Sequence, residues 1–308
     1  MHRTQRTFFD LNLVAALVAL LLALPQTSYA DKNEAEKPDP AKYFAGLSLR
    51  KVGPAFPSGR VVDFAVHPGR PHRYFAATAS AGVWLTEDNG NTWKPVFDGQ
   101  ASYATGVIKI DPNNPDIVWV GSGENNAQRS VGWGDGVYKS VDGGVHWKNV
   151  GLKDSGHIGD IAIHPENRDI VYVAAQGPLW SKGGDRGLYK TTDGGKNWKR
   201  VLEFDEHTGA NEILLHPERP DEIVVSSWQR RRHLWVLIDG GPGSAIHKSS
   251  DGGKTWAKQT QGLPNVELGR IGLALAPSQP DTVYAIIEAE PLEGEAEKKG
   301  GAGVYRSK

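Results

Sequence analysis

The chain of 308 residues has no cysteine and a single methionine. Without cysteine it can form no disulfide, no thiolate metal site and no cysteine nucleophile. An excess of one charge is missing too. Thirty-five basic against 36 acidic side chains leave a formal net charge of −1. That balance excludes a polybasic surface for nucleic acid, which needs clustered Lys and Arg, and a general attraction to anionic membranes. Phosphate-loop, dinucleotide, His-Glu-x-x-His and EF-hand motifs are absent. Runs such as Asp142-Gly143-Gly144 lack the alternating carboxylates and terminal Glu that calcium requires. No cofactor, metal or nucleic-acid partner is therefore expected.

The one long apolar run, Leu11 to Leu24, follows Arg3 and Arg6 and leads through Pro25 to Ser28-Tyr29-Ala30. A basic start, an apolar middle and small residues at Ser28 and Ala30 predict a signal peptide over residues 1–30. At roughly 14 residues the run is short of the ~20 that span a bilayer. The expected product is exported, periplasmic or extracellular, with no stable membrane insertion after cleavage. Residues 31–46 are charged and contain proline, and read as a flexible lead-in.

Glycine (37) and tryptophan (10) are abundant and are arranged in a repeat. The pattern Ser/Thr-x-Asp-x-Gly-x-x-Trp occurs at Thr86–Trp93, Ser140–Trp147, Thr191–Trp198 and Ser249–Trp256, each copy preceded by a short apolar strand. A fifth copy opens at Gly303-Val304-Tyr305-Arg306-Ser307. Upstream of each copy an apolar strand closes on a proline turn, at Pro68, Pro112, Pro165, Pro217 and Pro277. Another strand follows each turn, and one more begins at each repeat Trp. Four short strands in a period of about 50–60 residues predict an all-β chain of propeller blades over residues 47–308. Four blades are complete. The fifth is either partial or closed by the N-terminal strand Leu49–Gly53, and the blades read as the front part of a larger propeller.

The repeated pattern is the Asp-box, and the chain resembles the exported BNR/Asp-box repeat proteins often labelled glycosyl hydrolase-like or sortilin-like. Asp88, Asp142, Asp193 and Asp251 are expected to bind turn N–H groups, and Trp93, Trp147, Trp198 and Trp256 to fill space between sheets. One active site has no use for four copies, so these are structural. His67, His164 and His216 share a position that Asp111 and Ala276 also fill, which describes turn residues and not metal ligands.

Function is expected where the repeat breaks down, in the loops between second and third strands: Gly121–Asp135, Gln176–Arg186 and Ser226–Ser244. Strand alternation sets these loops on one face, opposite the proline turns and Asp-boxes. They carry Glu124, Asn125, Arg129, Trp133, Gln176, Trp180, Arg186, Trp228, Arg230, Arg231, Arg232, His233 and Trp235. Exposed aromatic faces beside Arg, Asn and Gln suit a polysaccharide or a protein ligand, and arginines can grip a carboxylate bidentately. The alternative is that these side chains pack the loops together and the arginines pair with Asp135, Asp185 or Asp239. The principal expectation is a binding module. A glycoside hydrolase is the alternative, with Glu124, Asp135, Asp185 and Asp239 as candidate carboxylates, Glu288 behind them, and a required separation of about 5–5.5 Å or 6.5–9.5 Å for any pair. The resemblance to family-74 xyloglucanases places Ala79 where those enzymes carry a catalytic Asp, and alanine moves no proton. The resemblance to sialidases finds Arg60 and Arg270 at matching first-strand starts, but no third arginine. A sortilin-type receptor would need a Cys-rich module that this chain cannot form.

Overall fold

The computed structural model describes residues 59–289 and 301–307, within one unit, Phe56–Lys308. The expected signal peptide, the expected lead-in, the strand expected at Leu49–Gly53 and residues 290–300 lie outside the described residues.

Each repeat folds into its own antiparallel sheet, with strands in sequence order. The first holds β1 (Val61–Val66), β2 (Tyr74–Thr78), β3 (Val83–Thr86) and β4 (Lys94–Pro95). The second holds β5 (Thr105–Ile110), β6 (Val118–Ser122), β7 (Val137–Ser140) and β8 (Lys148–Gly151). The third holds β9 (Ile158–Ile163), β10 (Val171–Ala175), β11 (Gly187–Thr191) and β12 (Lys199–Leu202). The fourth begins with β13 (Thr208–Leu215) and β14 (Ile223–Gln229). A two-stranded hairpin, β15 (Arg231–Arg232) and β16 (Leu237–Ile238), interrupts it before β17 (Ala245–Ser249) and β18 (Ala257–Gln259). The fifth has three strands, β19 (Leu268–Ala276), β20 (Gln279–Ala289) and β21 (Gly303–Arg306). Among the described residues there is no α-helix, only a 3₁₀ turn at Lys153–Ser155. The first strands pack in succession, β1 on β5, β5 on β9, β9 on β13 and β13 on β19. These are propeller blades: four complete and a fifth of three strands.

The core lies between neighbouring sheets. Phe75, Val83, Phe97, Ile108 and Val120 join the first two, and Val107, Trp119, Ile158 and Val173 the second and third. Tyr172, Leu188, Ile213 and Val225 join the third and fourth, and Ile246, Ile271 and Ile287 the fourth and fifth. Each fully buried large side chain contributes about 1.5–3 kcal/mol. The outer surface of β1 leaves Val61, Phe64 and Val66 exposed, as β20 and β21 leave Ile286 and Val304.

The Asp-box closes the β3-type turns of the second, third and fourth sheets with the same bonds, and in the first Asp88 Oδ1 accepts one backbone N–H, that of Thr92. In the third sheet Asp193 Oδ1 accepts the N–H of Lys196 (3.0 Å) and of Asn197 (2.9 Å), while Thr191 Oγ1 accepts that of Gly195 (3.0 Å). Gly195 sits at φ +93°, and a Cβ there would stand 2.9 Å from the Trp119 ring. The repeat tryptophan then reaches back one sheet. Trp147 Nε1 donates to Val96 O (2.8 Å), Trp198 to Val150 O (2.8 Å) and Trp256 to Val201 O (2.9 Å). Trp93, in the first sheet, packs edge-on against Tyr74 and remains 37% exposed.

The proline turns explain why His and Asp interchange. His164 Nδ1 accepts the N–H groups of Glu166 and Asn167, and His216 Nδ1 those of Glu218 and Arg219. At the same place Asp111 Oδ1 accepts those of Asn113 and Asn114. Both side chains present an acceptor at the same reach. The turns meet the Asp-boxes on one face through Gly143 N to Asp116 O (2.8 Å), Gly194 N to Asp169 O (3.0 Å) and Gly252 N to Asp221 O (3.0 Å).

A second sheet-to-sheet link runs along the first strands, each of which carries a bulge. Asp63 Oδ2 accepts Ile108 N of the next sheet (3.1 Å), Asp160 Oδ2 accepts Ile213 N (3.0 Å), and Glu212 Oε2 accepts Leu273 N (2.5 Å). In the second sheet the matching residue is Val107. There Lys109 Nζ substitutes, 3.4 Å from Asp63 and 3.4 Å from Asp160. Burial works against the Lys109 charge, but Asp160 and Asp63 outweigh it and hold its pKa above the usual value.

Candidate functional site on the variable-loop face

The three irregular loops do not stand apart. Ala127 from the first, Leu179 from the second and Trp228 at the end of β14 form a small apolar cluster of their own, with Val131 and Leu237 against it. Leu179 O also accepts the N–H of Arg232 (3.0 Å), which ties the β15–β16 hairpin to the middle loop.

Beneath this cluster lies a polar layer that joins all five sheets. Glu124, 2% exposed, is paired with Arg60 at the start of β1, accepts from the Asn126 side chain, and receives Gly132 N at 3.3 Å. Its carbonyl contacts His157 Nδ1 at 2.9 Å. Asn125 Oδ1 accepts from Gln176 Nε2 (2.5 Å) and Arg270 Nη2 (2.9 Å), and Arg270 Nη1 donates to Asn125 O (3.2 Å). Gln176 Nε2 donates also to Asn211 Oδ1 (2.8 Å), whose own amide donates to Ile271 O (3.0 Å). Gly159 must be glycine here, because a Cβ would stand 2.3 Å from Asn211 O.

The arginines of the loops do not pair with the loop carboxylates. Arg186, 3% exposed, donates to the carbonyls of Gln176 (2.6 Å), Pro178 (2.5 Å), Ser181 (2.9 Å) and Gly183 (2.8 Å). Arg230 is fully buried and donates to Asn126 O (2.5 Å), and its Nε has no acceptor. Burial pulls the Arg186 pKa down to about 10, helped by the charge of Arg231. Burial, then Arg186 and Arg270, pulls that of Arg230 to about 9. Both stay charged at neutral pH. His157, buried beside Arg230 and Arg186, is held well below its ordinary value and stays neutral.

Several expected binding residues are thus interior. Trp228, 2% exposed, presents no free aromatic face, because Arg230 and Arg270 cover its ring at 5.0 and 4.9 Å. Glu124, Gln176, Arg186 and Arg230 are buried as well, each tied to neighbouring loops or sheets. The exposed aromatic face expected of Trp228 is not present, and these five side chains pack the loops together. Asn125, Arg231, Arg232 and His233 are half-buried, and Arg129 is exposed. Trp133, Trp180 and Trp235 stand out at 63%, 42% and 80% exposure, with His233 stacked on Trp235 at 5.7 Å.

The candidate carboxylates have separate duties. Asp135 accepts from Tyr138 Oη (2.7 Å) and Ser122 Oγ (3.3 Å), and Asp185 accepts Asp154 N (3.1 Å). Asp239 alone keeps an oxygen without a partner. Burial and the neighbouring Glu288 charge push its pKa up. Glu288 lies in β20. Ala79 is buried, its N–H on Arg60 O at 2.9 Å. Among the described residues no group of His, Asp and Glu is arranged to hold a metal ion. No helix there is long and apolar enough to cross a membrane.

Three of the layer's members lie on or at the start of first strands, outside the variable loops: Arg60 and Arg270, which the sequence marks at matching strand starts, and Asn211, which it does not. The signal for Asn211 is a polar side chain where the other copies carry Val62, Gly106, Gly159 and Ile271.

Comparison with known proteins agrees with the fold. The profile described as sortilin, neurotensin receptor 3, matches residues 135–286. An oligoxyloglucan-reducing end-specific xyloglucanase of Emericella nidulans is 25% identical over 64% of this chain and 27% of its own length. A xyloglucanase of a Paenibacillus species is 26% identical over 70% of this chain and 22% of its own. The chain therefore spans about a quarter of these relatives. Among solved structures, an ancestral GH74 enzyme superposes with TM-score 0.60 at 18% identity, over 81% of this chain and 30% of that one. The GH74 xyloglucanase of Xanthomonas campestris gives 0.56 at 14%, over 81% and 36%.

Proposed function

We propose that this chain, a BNR-type β-propeller, is an exported, non-hydrolytic module that binds a polysaccharide on its variable-loop face. One observation carries the reading. Trp133, Trp180 and Trp235 remain exposed on loops that share a packed core, while Glu124, Asp135 and Asp185 are consumed in structural bonds. Indole faces on a fixed scaffold suit the apolar faces of sugar rings. The xyloglucanase relatives support a glycan as the ligand class. Removal of residues 1–30 would leave a mature protein starting at Asp31, which its mass would show. The apolar faces of β1 and of β20–β21 support the reading of these blades as the front of a larger propeller.

The test is affinity electrophoresis in gels containing soluble polysaccharides, xyloglucan among them. Retardation that weakens in Trp180→Ala and Trp235→Ala supports the reading, and unaltered migration in every gel removes it. One observation favours a hydrolase instead: Asp239, with its raised pKa, lies beside Glu288, the kind of pairing from which an acid and a base are made. Release of reducing sugar that disappears in Asp239→Asn would replace the binding reading with that one.

A further inference from the structure

The residues that follow β14, Arg230-Arg231-Arg232, lead directly into the exposed hairpin tip His233-Leu234-Trp235-Val236. Leu234 and Trp235 are 76% and 80% exposed. None of the three arginines forms an ion pair with a described carboxylate. Each also keeps a buried N–H without an acceptor: Nε of Arg230, Nη1 of Arg231 and Nε of Arg232. Arg186 and Arg270 add charge around them, while Asp205 and Asp239 act on the cluster only from beyond ion-pair distance.

Guanidinium charges without a counter-ion are costly, and no described carboxylate lies within ion-pair distance of these three. Arg231 and Arg232 are only half-buried, so a carboxylate from outside can approach their solvent-facing N–H groups, and a charge-assisted bond there is stronger than one to a neutral hydroxyl. The Trp235 ring stands next to them in sequence, and Trp180 follows Leu179, whose carbonyl holds Arg232. Charge and aromatic surface thus occur together where the hairpin meets the middle loop, as a charged sugar requires.

We propose that this face selects an acidic polysaccharide, with Arg231 and Arg232 receiving sugar carboxylates and Trp235 and Trp180 stacking on the rings. This rests on the glycan-binding reading above and narrows it to a charged class, distinct from neutral xyloglucan.

The full chain would be run in gels containing polygalacturonate, the same polymer fully methyl-esterified, xyloglucan, or dextran sulfate. Polygalacturonate is expected to retard it at least roughly tenfold more strongly than the ester, the ratio a charge-assisted bond provides. Added salt should reduce that difference. The double variant Arg231→Gln/Arg232→Gln should lose the preference. Trp235→Ala, at an exposed tip where folding is not at stake, should weaken retardation in polygalacturonate. Equal retardation by acid and ester overturns the charged class but leaves glycan binding standing. Absence of retardation in all gels overturns both. Retardation by dextran sulfate and polygalacturonate alike, indifferent to Trp235→Ala, means simple ion exchange and overturns this proposal.

Discussion

The Arg270 guanidinium in β19 lies 4.9 Å from the centre of the Trp228 ring at the end of β14, which joins the fourth and fifth sheets beneath the loop cluster. Arg230 covers the same ring at 5.0 Å. An indole approached by two cations and packed with Ala127 and Leu179 is the centre of the loop assembly. Trp228→Ala is expected to cost about 3–5 kcal/mol, as for other buried large-to-small changes. Urea unfolding measures it, and a loss under about 1 kcal/mol would show that the loops do not depend on this ring.

The repeat tryptophans should differ by position. Trp198→Phe removes the N–H bonded to Val150 O and should cost about 0.5–1.5 kcal/mol for that bond, plus lost packing. Trp93→Phe, with no such bond among the described residues, should cost less. Equal losses in denaturant melts would contradict a sheet-to-sheet role for the indole N–H.

Lys109→Met leaves Asp63 and Asp160 without their cation. The expected loss is about 1–3 kcal/mol, below that of a fully buried pair because Lys109 is part-exposed. Asp160→Asn keeps an acceptor for Ile213 N and should recover part of this in the double variant. A double-mutant cycle with no coupling would refute the link.

Stability should fall in two stages as pH drops. Burial, with Lys258, holds His247 at about 4 against an ordinary 6.5, and burial, with Arg230 and Arg186, holds His157 well below its ordinary value. Both are neutral when folded, so the unfolded chain takes up the extra protons and stability declines from about pH 6.5 downward. Asp142 is held at about 2, first by the backbone N–H of His146, and Asp193 and Asp251 are depressed further by their own turn bonds. Their contribution is complete above the unfolded value of 3.8 and is lost below it. Urea midpoints from pH 8 to 3 test this. A flat profile between 6.5 and 4.5 would count against the buried histidines, and His247→Asn should shallow that limb.

The blades were legible because their signals repeat: a Gly and a Trp at fixed offsets from each Asp, and a side-chain acceptor before four of the five prolines. The loops were legible only in place. That Trp133 and Trp235 face solvent while Trp228 is enclosed depends on which loops meet, and no local spacing encodes that. The link through Asp63, Asp160 and Glu212 was missed for a different reason. Val107 interrupts it in the second copy, so a search for an invariant position passes over it.

Lys109 touches the sheet before its own and the sheet after it. Tandem duplication is an easy route by which repeat proteins lengthen, yet an extra copy inserted on either side of the second sheet would move Asp63 or Asp160 out of reach. Growth by repetition is therefore easier at other junctions, and the first three repeats are bound to be inherited as a set.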